Sequence, residues 1–568
     1  MKTRRAVLGD MVRLGVVAAI PSRLSAAEAE ADLILLNGKI ITVDARDTIK
    51  QAVAIKDGKV LQVGSTLEIR PLAGPLCRVI DLKGKTVTPG LIDSHYHLMY
   101  YGQQFWSGYL DIRHPRATSK ADLLQIVGEY AAHLKPGEWV SGNQGFHLQP
   151  SETLDRWDLD AVSPNNPVYL RHGSGQYVVV NSVALQIAGI DASTPNPYGS
   201  VIVHNSEGEP TGVLSHYPAE YLVAQYATGY GDRTKDQKFE DIERGQQLCL
   251  QAGYTSVQDV IVGTPEDIQI YKEFADSGRL KVRLYAMLYL NSEEQVDHVI
   301  AQTLERDEDD QFTFGGWKLA MDGGLAAGTF LMYDKSLYAS NLSYPYHSQE
   351  TLNRMVRKLH DTGLQIAVHV GGDQGIDMTL TAFEEAMRAN PRPDPRHRIE
   401  HGLFPSTQAL PRMKEAGIIL STQPQWIAWH GDAYAQATNE ETMARLLPLK
   451  TMLEMGIPIA FGCDVPASIF QEPRWAFHGA CLRRAESGAI LTPQERLVAP
   501  EALRIHTMGS AYAGFAEGMT GSLEPGKYAD LVVWSHDLYN LQPGELGNLQ
   551  AEMTIVKGQI VYEAGNPG

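Results

Sequence analysis

Residues Val87–Leu98 read VTPGLIDSHYHL. A short apolar run ends in His95-Tyr96-His97. Side chains two apart on a strand share a face, so His95 and His97 can offer two imidazoles to one ion while Tyr96 points the other way. Pro89-Gly90 precedes the pair, and Asp93 stands two residues before His95. Taken alone, the triplet also describes two core histidines, and the rest of the chain has to decide.

Outward from this stretch, strand and helix patterns alternate. Candidate strands are Thr86–His97 itself, Tyr254–Val260, Leu280–Leu290, Gly316–Asp322, Gln365–Val370, His397–His401, Gly417–Gln423 and Ile457–Asp464. Helical patterns lie between most of them, as in Ser348–Asp361 and Asp377–Ala389. This alternation predicts an α/β fold, a (β/α)8 TIM-like barrel over residues 86–116 and 239–519. LKVRLYAMLYL and GIPIAFG are apolar runs, as parallel strands covered on both faces should be.

Strand one ends at His97 and strand two begins at Tyr254, too far apart for an ordinary connection. Residues 117–238 are therefore expected to form an α/β insertion after barrel strand 1, with strands PVYLRHG, YVVVNS and SVIVHN. It would sit over the barrel mouth as a lid or substrate wall. Residues 31–85 alternate with period two and carry the hairpin turns Asn37-Gly38 and Asp57-Gly58. Residues 520–568 have the same texture, which predicts a small composite β-sandwich from both termini.

Composition narrows the function classes. A formal net charge of -18 argues against nucleic acid or anionic lipid as the main partner. The four cysteines lie far apart, so neither a disulfide framework nor a zinc knuckle is expected. Residues 1–30 resemble a twin-arginine export leader, with Arg4-Arg5, the apolar Leu14–Ile20 and a small-residue zone, although Asp10 and Arg13 interrupt it. The expected location is periplasmic or exported, with the cytoplasm as the alternative. No stable membrane insertion is expected, since no stretch is long and apolar enough to span a bilayer.

Six polar residues fall at the C-terminal strand ends, the active-site face of such a barrel. They are His95 and His97, Lys318, His369, His401 and Asp464, with Asp322 beyond Lys318 as a weaker candidate. Each has an ordinary reading alone; Asp464 before Val465-Pro466 could cap a helix. Together they would leave four buried histidines, a lysine and an aspartate to be satisfied separately, whereas one metal centre satisfies them at once. Tyr100, Tyr101, Trp106, Trp426 and Trp429 are candidate pocket walls. Cys463 is not a candidate nucleophile, because strand alternation turns it from the face of Asp464.

PGLIDSHYHL, GWKLAMDGGLAAGT, HVGGDQGID, RIEHG and FGCDVP occur in this order. The set resembles the amidohydrolase superfamily, and within it the amidohydrolase-3 group that includes N-substituted formamide deformylase-like proteins. AGYTSVQDV and GSLEPGKYADLVVW are also similar, so the resemblance runs from about Ala31 to the end. It implies one or two divalent metal ions, commonly zinc. His95 and His97 would bind one ion, and His369 and His401 the second. Lys318 would bridge them as an N-carboxylated lysine, because an ammonium has no lone pair to give. Asp464 would touch the metal and act as general base and then acid, and His401 could also polarise the carbonyl. Gln176 and His216 depart from the family pattern, at positions where relatives often place a histidine and an acid.

The implied reaction is hydrolysis of a C–N bond in a small amide-like molecule, an N-substituted formamide or N-acyl compound, by metal-activated water. The same centre could instead cleave a lactone or ester or run an isomerisation, since fold does not set substrate. A non-catalytic binding protein that kept the barrel is the third reading. A homodimer is carried as an expectation.

Overall fold

Eight parallel strands form one sheet in the computed structural model. They are β1 (Leu91–Tyr96), β2 (Tyr254–Val262), β3 (Arg283–Tyr289), β4 (Phe312–Ala320), β5 (Gln365–Val370), β6 (Arg398–His401), β7 (Ile419–Thr422) and β8 (Ile459–Phe461). Each pairs with the next, giving the order β8 to β1 across the sheet. The structure describes residues 30–148, 152–197, 199–230, 233–302, 310–324, 329–335, 345–540 and 546–565. Residues 1–29 of the expected export leader lie outside the described residues.

Asp93 staples the seam between β1 and β8. Its carboxylate accepts the backbone N–H groups of His95 and Cys463, each at 2.9 Å. The Asp464 N–H donates to the His95 carbonyl at 2.8 Å. A side chain from the first strand thus does the work of a ladder hydrogen bond and ties Asp464 to His95 through the backbone.

The helical connections cover the outer face of the sheet. Trp317, Leu319, Ile366, Val368 and Ile399 point outward into one apolar core with Leu352, Met355 and Phe383 of the covering helices. The inner face is polar. Arg398 of β6 reaches Ser94 of β1, Gln258 of β2 and Ser421 of β7, and Tyr285 of β3 donates to Gln365 of β5 at 3.0 Å. A satisfied polar layer of this kind fixes strand positions beneath the mouth.

The expected first strand, Thr86–His97, is two strands. Thr86–Pro89 pairs with Lys39–Ile41 and Leu531–Trp534, and only Leu91–Tyr96 enters the barrel. The chain changes sheets at Gly90, where any Cβ would lie 2.0 Å from Thr255 Oγ1. Both halves are extended and apolar, so the sequence pattern runs through the break without a mark.

Thr86–Pro89 joins a six-stranded sheet built from both ends of the chain, with Ile49–Lys50, Ala551–Val556 and Gln559–Glu563. A four-stranded sheet of Ala31–Leu36, Ala52–Lys56, Lys59–Gly64 and Ala73–Asp81 packs on it. Leu35, Val53, Val87, Leu531 and Ile555 fill the space between them, as a sandwich core should.

After β1 the chain builds a five-stranded mixed sheet from Val140–Phe146, Val168–His172, Tyr177–Val180, Val201–His204 and Pro210–Ser215. Alternate residues serve two cores: Val168, Leu170 and Val179 on one face, Tyr169, Val178 and Val180 on the other. Among the described residues no helix is long and apolar enough to cross a membrane.

Candidate metal centre

Strand geometry brings the two histidines of the opening motif onto one acid. His97 Nε2 lies 2.8 Å from Asp464 Oδ1, and His95 Nε2 lies 3.4 Å from the same oxygen. The ligating atoms of His95, His97 and Asp464 all fall within 4.8 Å of one another, and all three residues are buried. Asp464 follows β8 and caps no helix; its carboxylate is spent on the two imidazoles.

The other expected residues close around this group. The His401 ring lies 4.6 Å from that of His95 and 4.3 Å from that of His369, centroid to centroid. His369 Nε2 donates to the Gly323 carbonyl at 2.8 Å, which leaves its Nδ1 as the lone-pair nitrogen. His401 Nε2 and Lys318 Nζ are buried without a hydrogen-bond partner among the described residues. Lys318 pairs with Tyr289 in the β3–β4 register and is coupled electrostatically to Glu400 and Asp464. All six residues therefore share one end of the barrel. Asp322 does not join them. It accepts the N–H groups of Leu331, Gly371 and Gly372 and organises the loops beyond β4 and β5.

Electrostatics separate the members. Burial opposes the Asp464 charge, but His95 and His97 outweigh it and hold the carboxylate well below its usual range. Burial drives the Lys318 ammonium down to about 8, against the pull of Glu400 and Asp464. Burial and then Lys318 push His369 down to about 3, and burial with His369 pushes His401 well below the ordinary value. Neutral His369 and His401 and an ionised Asp464 are the forms a divalent ion requires, whereas His95, despite burial and Lys318, is held above the ordinary value by Asp464 and Glu400. Backbone strain falls on the same residues: φ is 71° at His401 and 57° at Asp464, a region that side chains other than glycine seldom occupy.

Sequence reasoning missed the groups that orient these ligands. His95 Nδ1 lies 2.5 Å from Glu400 Oε2, and Arg398 Nε bonds Glu400 Oε1 at 2.7 Å. His401 Nδ1 lies 2.7 Å from Gln423 Oε1. Arg398, Glu400 and Gln423 are fully buried. The signal for the first two was present: R-I-E-H alternates in a strand expected to be apolar on both faces.

A pocket opens beside the centre. Gly323, Phe330, His369, His401, Trp426, His430, Tyr434 and Asp464 line it from the barrel, and Ser174 and Gln176 from the insertion. Trp426, His430 and Tyr434 are four apart on the helix Trp426–Ala437 and share its face. Of the five expected wall aromatics only Trp426 is in this lining. Tyr101 packs on Tyr96 and Phe105, Trp106 on Tyr109, and Trp429 on His114 and His147, while the Tyr100 hydroxyl donates to Gln144. Gln176 and His216 meet at Tyr346, whose hydroxyl lies 3.1 Å from Gln176 Oε1 and 2.6 Å from His216 Nδ1. The Cys463 thiol is raised well above its ordinary range by burial and then by Asp93, the opposite of an activated nucleophile.

Comparison with known proteins gives the family. Residues 78–562 match the model of the amidohydrolase family. The chain is 29% identical over 545 residues to the N-substituted formamide deformylase of Arthrobacter pascens, covering 94% of this chain and 98% of that one. It is 30% identical over 543 residues to YtcJ of Bacillus subtilis (strain 168), covering 93% and 98%. Among solved structures, an uncharacterized metal-dependent hydrolase from Pyrococcus furiosus aligns with a TM-score of 0.68 and 26% identity, over 89% of this chain and 100% of that one. With a barrel whose strand ends gather His95, His97, Lys318, His369, His401 and Asp464, and a family match across most of its length, this chain belongs to the amidohydrolase family.

Proposed function

We propose that this chain hydrolyses a C–N bond in a small amide-type molecule, using one or two divalent metal ions held by the strand-end residues. The observation that carries the reading is the convergence of His95 Nε2 and His97 Nε2 on Asp464 Oδ1, beside the buried, unpartnered His401 Nε2 and Lys318 Nζ. Imidazole and carboxylate donors suit zinc, which is the ion proposed. When bound, such an ion lowers the pKa of water and polarises a carbonyl oxygen. Lys318 can contribute to the ion only without its ammonium proton, and burial already weakens that proton's hold. Attack of the free amine on carbon dioxide, with loss of one N–H proton to solvent, would turn it into an anionic carbamate.

The chain's own groups do the remaining work. Asp464, kept ionised by His95 and His97 against burial, is the base that takes the proton of the attacking water and returns it to the leaving nitrogen. His401 lines the pocket, and with its Nδ1 held by the Gln423 amide oxygen its Nε2 offers a lone pair to the ion. Phe330, Trp426 and Tyr434 keep one side of the pocket apolar, while Ser174 and Gln176 give polar contacts from the insertion. N-substituted formamides head the substrate list, because one relative bears that activity in its name.

The test is a panel of matched amides and esters of one acyl group, formamides first, assayed with zinc-loaded protein. Amide cleavage that exceeds ester cleavage supports the reading. Turnover of esters or lactones alone defeats it.

A further inference from the structure

His95 and His401 are each fixed by a single acceptor at Nδ1, and the two acceptors differ in charge. Glu400 Oε2 holds His95 at 2.5 Å, whereas the amide oxygen of Gln423 holds His401 at 2.7 Å. Gln423 directly follows β7 and is fully buried. An amide oxygen can only accept, so the proton of neutral His401 sits on Nδ1 and the lone pair on Nε2. That Nε2 has no hydrogen-bond partner among the described residues. The rest of the Gln423 amide is not otherwise used: its Nε2 is also buried without a partner among them. A buried amide that leaves one end unsatisfied while the other aims at a site histidine asks for an explanation beyond packing.

We infer that Gln423 is a positioning residue, which locks His401 in the tautomer whose Nε2 is available to the metal and, by staying neutral where Glu400 is charged, makes His401 the weaker ligand of the two. This rests on the metal-dependent reading above. The chemistry is asymmetric by design of the acceptors. A carboxylate behind an imidazole raises its donor strength, and a neutral amide does so less. The Trp426 ring, stacked on His401 at 5.0 Å and 11° between planes, holds the imidazole plane, so Gln423 is left with the choice of nitrogen.

The experiment measures zinc affinity by competition with a chelator for wild type, Gln423→Leu and Gln423→Glu, with melting of the metal-free proteins as a folding control. The leucine variant fills similar space without an acceptor and should bind the weakest-held zinc about 10–100-fold less tightly. The glutamate variant keeps the acceptor and adds charge, and should bind at least as tightly as wild type. Gln423→Met repeats the first arm should the leucine variant misfold. Leucine or methionine variants within twofold of wild type overturn the inference, as do leucine and glutamate variants that are equally weak. Wild type that binds no zinc overturns the metal-dependent reading along with it, and that outcome is distinguishable because no variant is needed to see it.

Discussion

Glu400 Oε2 and His95 Nδ1 are 2.5 Å apart at a depth where neither side chain is more than 1% exposed. The carboxylate is balanced on its other oxygen by Arg398 at 2.7 Å, two residues earlier on the same strand. Burial opposes the Glu400 charge, but Arg398 and His95 hold it well below the carboxylate range. The triad therefore delivers a His95 whose Nε2 is oriented toward Asp464.

Glu400→Gln keeps the shape and removes the charge behind His95. It should lower zinc affinity or turnover about 10–100-fold. Arg398→Met strands Glu400 without its counter-ion and should cost about 3–5 kcal/mol of stability, the penalty of a broken buried pair. Chelator competition and thermal unfolding read the two effects. A Glu400→Gln protein with unaltered metal binding and rate would show that the carboxylate has only a packing role.

Chelator treatment should abolish turnover, and added zinc should restore it. Lys318→Ala, tested beside wild type, should retain less metal by elemental analysis, because the buried amine is coupled electrostatically to His95 of the first pair and His369 of the second. Full activity in metal-stripped protein would refute the centre. Equal, near-zero metal in both proteins would favour a barrel retained for binding alone.

Asp464→Asn preserves size but cannot take a proton, and should reduce kcat by about 10²–10⁴-fold. His95→Ala should abolish turnover by removing a ligand. Both should keep a wild-type circular dichroism spectrum, since neither residue belongs to the apolar core that packs the sheet against its helices. A variant that folds and turns over at the wild-type rate removes that residue from the mechanism.

Much of this site could be read before any coordinates, and the reason is local. His95, Lys318, His369, His401 and Asp464 each lie within three residues of the C-terminal end of a barrel strand, and a strand end in this architecture has a fixed address. Glu400, Arg398 and Gln423 were harder, because their purpose is another side chain's orientation, settled by contacts across strands far apart in sequence. The same limit explains the pocket wall. Trp426 and Trp429 are three apart, yet Trp426 faces His401 with His430 and Tyr434, while Trp429 turns to His114 and His147. The sheet switch at Gly90 was invisible for a different reason: period-two alternation is the same in both sheets, and only the approach to Thr255 marks the change.

A histidine pair formed by His360 and His397, the residue before β6, sets an acid limit on the fold. His397 Nδ1 accepts the Ile366 N–H at 3.0 Å, so its Nε2 carries the proton and donates to His360 Nδ1 at 2.8 Å. His360 Nε2–H then donates to the Asn390 carbonyl at 2.8 Å. Every lone pair in this relay is used, and a further proton breaks a bond. Burial, then His360, holds His397 well below the ordinary histidine value. The unfolded chain therefore takes up the proton first. The contribution to stability is whole above the unfolded pKa of about 6.5 and is lost as pH falls from there toward the folded value. The loss is at most about 1.4 kcal/mol per pH unit for this one group. Raised carboxyls such as Asp93 and Asp322, each pushed up to about 7 by burial, act in the opposite sense over the same range, so wild type alone is uninformative. His397→Gln, which cannot titrate, isolates the term. Its melting temperature, whatever its starting value, should fall less steeply than that of wild type between pH 7 and pH 5. Parallel pH profiles for the two proteins would mean that the relay accepts a proton in the folded state at no cost.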